Sequence, residues 1–174
     1  LNVNIKCKTE NQKKLINSIK QNEITICSGL PGTGKTFLSC AQALKLLKSK
    51  NPAKYKRIVL IKSVTTLKNE EIGFLKGSLE EKMEPYIDSF MDNFRKLIGK
   101  SRTNSLRGFG LIEVLPIAFA RGRSIDNSII IIDEAQNISM DNIRTLMTAH
   151  LRGLNDPKGF LNKNKPEHKK VATR

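Results

Sequence analysis

The sequence predicts an α/β protein in which a mostly parallel sheet lies between two layers of helices. Three observations predict it. An apolar stretch at residues 23–28, EITICS, runs straight into the glycine-rich GLPGTGKT. Helix-patterned and strand-patterned stretches then alternate, as right-handed βαβ units require. A second apolar strand, SIIIID at residues 128–133, carries an acidic pair, Asp133 and Glu134, at its end, where open α/β sheets bind ligands.

Composition bounds the reading. With 174 residues the chain is long enough for one domain with a real core. Its 31 Lys and Arg against 16 Asp and Glu leave a formal charge of +15, which favours a polyanionic partner such as RNA, DNA or nucleotide. No run approaches the roughly 18 apolar residues of a membrane helix, so no membrane partner is expected. Cys7, Cys27 and Cys40 make an odd set with no C-x-x-C pair, which points to reduced thiols in the cytoplasm.

Taken in order, Leu15, Ile16 and Ile19 have helical spacing and predict a short amphipathic helix over residues 9–20. Residues 23–28 predict the first strand. The loop after it reads Gly29, Leu30, Pro31, Gly32, Thr33, Gly34, Lys35, Thr36, which fits the G-x-x-x-x-G-K-[ST] phosphate-binding pattern. Small residues let backbone N–H groups turn toward phosphate oxygens, Lys35 adds a positive charge for the β- and γ-phosphates, and the Thr36 hydroxyl suits Mg²⁺. Phe37 opens the helix that follows, whose positive N-terminus faces the same phosphates.

That helix carries Phe37, Leu38, Ala41, Leu44 and Leu47 on its expected buried stripe and runs to about Lys48 before Asn51-Pro52. RIVLIK at residues 57–62 is a short apolar run of the kind buried on both faces of a parallel sheet. Residues 63–77 predict a polar connection. Met83, Ile87, Phe90, Met91, Phe94 and Leu97 then recur at helical spacing, with Pro85 expected to divide a short turn from a longer helix. Residues 99–110, basic and rich in Gly and Ser, predict a mobile loop with cations able to touch nucleic acid.

Strand character returns over residues 111–120, around LIEVLPI, followed by Arg121-Gly122-Arg123 and then SIIIID. Asp133 is placed to hold Mg²⁺, and Glu134 to orient or deprotonate an attacking water. Ser139 is a good N-cap for a helix carrying Ile143, Leu146, Met147 and Leu151. Residues 154–174 are polar and cationic and predict a flexible tail. His150 and His168 have no partner set that suggests a metal or a catalytic base.

Four blocks, GLPGTGKT, EIGFLKGSLEEKMEPY at residues 71–86, ARGR at 120–123 and IIIDEAQN at 130–137, resemble the PhoH-like ATPases, RecA-like P-loop proteins related to superfamily-1 helicases. The resemblance covers about residues 9–150. It implies a three-layer α/β/α P-loop NTPase with a RecA-like sheet, ATP and Mg²⁺ as ligands, and hydrolysis by Lys35, Thr36, Asp133 and Glu134, with Gln136 sensing the γ-phosphate. A glutamine placed like Gln12, 17 residues ahead of Gly29, reads the adenine edge in the helicase relatives. Ring assembly in relatives implies that Arg121 or Arg123 acts on a neighbour's nucleotide. RNA, rather than DNA, is the expected nucleic acid, with helicase-like remodelling as the work done.

Two departures qualify this. Lys62-Ser63 stands where the family has Arg-Pro. Members also continue past the IIIDEAQN helix into another apolar strand ending in Gly-Asp, whereas here MTAHLRG runs into the cationic tail. In RecA-like sheets that strand lies between the phosphate-loop strand and the Asp-Glu strand, so the expected domain, residues 1–153, is incomplete at its C-terminal end. A truncated or frameshifted member, a different strand order, or another element in the gap would each account for it. A nucleotide-binding module without turnover is the alternative function.

Overall fold

The four apolar residues at 58–61 sit at the centre of the molecule. They belong to β1 (Arg57–Lys62) and all four are completely buried, as expected of a strand covered on both faces. The computed structural model describes residues 3–48, 55–62, 79–120, 125 and 127–152. In it β1 pairs in parallel with β2 (Ile112–Pro116) on one side and β3 (Ser128–Asp133) on the other, giving the order β2-β1-β3. The register sets Ile58 beside Ile112 and Ile129, and Lys62 beside Pro116 and Asp133. The C-terminal tips of the strands, including Asp133, are therefore level.

Strand alternation sorts the core into two layers. Ile58, Leu60 and Ile112 face Cys40, Ala41 and Leu44 of α2 (Lys35–Leu47) and Phe90, Met91 and Phe94 of α3 (Leu79–Ile98). Val59, Ile61 and Leu115 pack on the other face with Ala120 of α5 (Ile117–Ala120), Ile125 and Leu146 of α6 (Met140–Arg152). Helices on both faces of a parallel sheet make the predicted three-layer α/β/α class. On α3 the buried residues Ile87, Phe90, Met91, Phe94 and Ile98 form one stripe, and Arg95 on the same helix bridges Asp88 and Asp92 at 2.8 and 2.9 Å. The first helix, α1 (Glu10–Gln21), starts with Thr9, whose hydroxyl accepts the Gln12 amide at 3.3 Å.

The structure corrects the expectations at four places. Helix α3 runs unbroken through Pro85: the proline removes one hydrogen bond early in the helix, and the apolar stripe that follows holds the whole segment down. Residues 99–110 form a helix, α4 (Lys100–Gly108), instead of a mobile loop. Thr103 is buried and donates to the Gly99 carbonyl at 2.9 Å, and Leu106 packs against the core, so two inward residues suffice in a segment otherwise polar. Strand β2 ends at Pro116 and gives way to α5.

The fourth correction concerns the first predicted strand. Residues 23–28 join no sheet among the described residues; Ile24 and Thr25 are half-buried and Ile26 is 64% exposed. Strand propensity favours an extended backbone, but a ladder needs a neighbour for its N–H and C=O groups. Among the described residues β3 pairs only with β1, and nothing pairs with residues 23–28.

Candidate nucleotide site

The phosphate loop owes its shape to two glycines. Gly32 and Gly34 hold φ of +75° and +87°, values that a side chain disfavours, and Gly34 is the N-cap of α2. Its carbonyl accepts the Leu38 amide at 2.9 Å, so the helix begins at Lys35. No acidic residue lies in the first turn of α2, and the helix's positive end is left for an anion.

Cross-links within the loop fix its curvature. Thr33 Oγ1 donates to the Leu30 carbonyl at 2.9 Å, and Lys35 Nζ donates to the carbonyls of Gly29 and Leu30 at 2.7 and 2.8 Å. The ammonium thus lies inside the loop, within reach of anything the loop encloses. Leu30 is 78% exposed, Pro31 is exposed, and Phe37 is half-buried.

Gln12 grips the loop from α1. Its Nε2 donates to the Thr33 carbonyl at 3.1 Å, while its Oε1 accepts the Lys8 amide at 2.7 Å. Both ends of the carboxamide are engaged, so it ties the N-terminal segment to the loop. Sequence reasoning missed this tie, because nothing in the spacing of Lys8, Gln12 and Thr33 signals it.

The two signatures meet at α2 and β3. Thr36 Oγ1 donates to Asp133 Oδ1 at 3.1 Å across 97 residues of chain. A hydroxyl and a carboxylate are hard oxygen donors of the kind Mg²⁺ prefers, and Mg²⁺ takes one or two protein ligands alongside phosphates and waters. The donor set therefore fits that ion. Among the described residues no cage of three or more His, Cys, Asp or Glu is present, as such a site needs none. One turn below Thr36, the Cys40 thiol is pushed up to about 12 by burial first and by the charge of Asp133 second.

Glu134 is exposed and has φ +53° and ψ +41°, a left-handed conformation uncommon outside glycine, asparagine and aspartate. It caps a single 3₁₀ turn (Ala135–Asn137) and accepts a hydrogen bond from Gln136 Nε2. The turn carries the carboxylate away from β3 into solvent, and Gln136 restrains it there. Arg121 and Arg123 lie outside the described residues, as does residues 71–78 of the second sequence block. A cleft of about 350 Å³ lined by Ile19, Asn22, Glu23, Leu46 and Tyr55 lies at the far ends of α1 and α2, away from this chemistry, and holds none of these groups.

Comparison with known proteins identifies relatives of the chain. Residues 4–151 match the family model described as PhoH-like protein. The chain is similar to a PhoH-like protein of Bacillus subtilis, 34% identical over 144 residues, covering 83% of this chain and 44% of the relative. It is 35% identical over 144 residues to a PhoH-like protein of Mycobacterium tuberculosis, covering 83% of this chain and 40% of the relative. Protein PhoH of Escherichia coli is 32% identical over 146 residues, again covering 83% and 40%. The chain thus spans less than half the length of these relatives.

Proposed function

The chain belongs to the PhoH-like protein family, a family of P-loop ATPases, and on that premise we propose that it binds ATP with Mg²⁺ and hydrolyses it to ADP and phosphate. The cycle is coupled to binding or remodelling of nucleic acid, RNA in preference to DNA, in a helicase-like manner. The observation that carries the reading is the 3.1 Å bond between Thr36 and Asp133, which joins the phosphate loop to the acidic strand tip.

In this reading the loop amides from Gly29 to Thr36 and the N-terminus of α2 hold the phosphates. Lys35 leaves the carbonyls of Gly29 and Leu30 for the β- and γ-phosphate oxygens, and Thr36 and Asp133 would hold Mg²⁺. When bound, the ion supplies neutralisation of the charge that builds on those oxygens. Glu134 accepts the proton of the attacking water as its oxygen bonds to the γ-phosphorus and the bond to the bridging oxygen breaks. Gln136 holds the Glu134 carboxylate and exchanges that contact for the γ-phosphate. Gln12 supports the loop through Thr33, and an adenine edge competes for the same carboxamide.

The ATPase domain comprises residues 1–153, followed by a basic tail at 154–174, and works in the cytoplasm. No helix of the described residues is long and apolar enough to cross a membrane. Arg121 or Arg123 serves a neighbouring subunit's nucleotide if the chain assembles as a ring.

A second reading, a nucleotide-binding module without turnover, is favoured by one observation. Residues 23–28 are unpaired among the described residues, so the loop is anchored on its strand side by less than a sheet provides. ATP affinity and steady-state phosphate release measured on one sample separate the two. Binding with release supports the ATPase, binding without release supports the module, and absence of binding overturns both.

A further inference from the structure

We propose that the outer surface of α4, with Lys96 before it and Phe109 after it, is a docking surface for single-stranded nucleic acid. The inference rests on the nucleic-acid part of the function proposed above and assigns that partner a place. Between Lys96 and Gly110 the chain carries Lys96, Lys100, Arg102 and Arg107 and no carboxylate. Among the described residues no ion pair engages Lys96, Lys100 or Arg102, and all three are exposed. By contrast the neighbouring Arg95 is committed to Asp88 and Asp92.

Helical geometry arranges these charges usefully. With Thr103 and Leu106 turned inward, the 100° step of the helix sets Ser101, Asn104 and Ser105 outward, with Lys100 and Arg107 along one flank and Arg102 along the other. The result is a shelf of short polar side chains bordered by cations. A phosphate backbone can lie on such a shelf without meeting a bulky side chain. At its end Phe109 is 81% exposed, the most exposed large apolar residue among those described. A solvated cationic face has no use for an exposed ring, whereas a single strand stacks a base on one and leaves its phosphates to adjacent cations.

The surface is remote from the nucleotide site. The Leu111 amide donates to the Leu106 carbonyl at 2.8 Å, and the Ile58 amide to the Leu111 carbonyl at 2.9 Å. These bonds fix the end of α4 at the N-terminal edge of the sheet, whereas Thr36 and Asp133 meet at its C-terminal edge. Changes on this surface therefore leave the phosphate loop untouched.

The test uses the full chain and an oligouridine strand, with affinity followed by fluorescence anisotropy across a salt series. Each lost phosphate contact on a single strand removes about 0.7 from the slope of log K against log salt. The triple variant Lys96→Gln, Lys100→Gln, Arg102→Gln is expected to flatten that slope by about two. Phe109→Ala is expected to weaken binding about tenfold with the slope unchanged. Both variants are expected to bind ATP as the parent does, which reports that they are folded. Retention of affinity and slope by both variants overturns the surface while leaving nucleic acid as the partner. Failure of the parent to bind oligouridine or oligothymidine at low salt overturns surface and partner together, with the ATPase reading judged separately by phosphate release. Competition by polyglutamate as strong as by oligothymidine indicates an acidic polypeptide ligand and also overturns the proposal.

Discussion

Replacing Thr36 with valine keeps the shape and β-branching of the side chain and removes the hydroxyl that joins the phosphate loop to β3. The bond it loses is 3.1 Å long, ends on a carboxylate and is half-buried. Bonds to charged groups contribute about 1.5 to 3 kcal/mol, and access of water to Asp133 places this one near the lower figure. The variant is expected to lose about 1.5 kcal/mol of stability, or roughly 3 to 6 °C in melting temperature for a chain of this size. Its nucleotide binding should then divide by condition. In chelator the loop amides and Lys35 carry the affinity, so Thr36→Val should match the parent within about twofold. In Mg²⁺ it should be about tenfold weaker, the equivalent of 1.4 kcal/mol, because the proposed site then keeps Asp133 without Thr36. Titration calorimetry in both buffers reads the two values. Equal losses in chelator and in Mg²⁺ would mean that the hydroxyl acts on the phosphates or the fold and not through the ion.

Three further outcomes are expected. Phe94 is wholly buried between α3 and the sheet, so Phe94→Ala should cost about 3 to 5 kcal/mol in urea denaturation, and a loss below 1 kcal/mol would contradict the packing. The Cys40 thiol titrates at about 12 in the folded chain against 9.0 as its ordinary value. A raised folded value means that its contribution to stability is complete below pH 9 and is lost as the pH rises from 9 toward 12; Cys40→Ala should make the fall across that window shallower. Gln12→Ala should weaken ATP and GTP about equally, by a factor of about ten for the lost loop tie, in competition binding; a loss confined to ATP would mean that the residue reads adenine.

Much of this was legible in the sequence because it is written in short-range patterns. The limits of β1 and β3 follow from short apolar runs rich in Val and Ile, and α2 from the apolar stripe behind GLPGTGKT. Asp133 and Thr36 were nameable because phosphate chemistry demands those residue types at those ends. What stayed hidden depends on neighbours distant in sequence. Residues 23–28 read as a strand on propensity alone, yet a strand is a pairing, and the described partners of β3 stop at β1. Helix α4 was concealed by its polarity, since only Thr103 and Leu106 face inward. The clasp of Gln12 on Thr33 joins residues 21 apart through a loop whose curvature no pattern encodes.

In the proposed cycle Glu134, released by Gln136 as that residue turns to the γ-phosphate, activates the water that attacks ATP. Glu134→Gln removes the proton acceptor and keeps the shape of the side chain, so ATP affinity and steady-state phosphate release should be compared in this variant and the parent. Unchanged affinity and a loss of turnover of at least about 100-fold are expected. Turnover near the parental rate with ATP still bound would contradict this role of Glu134.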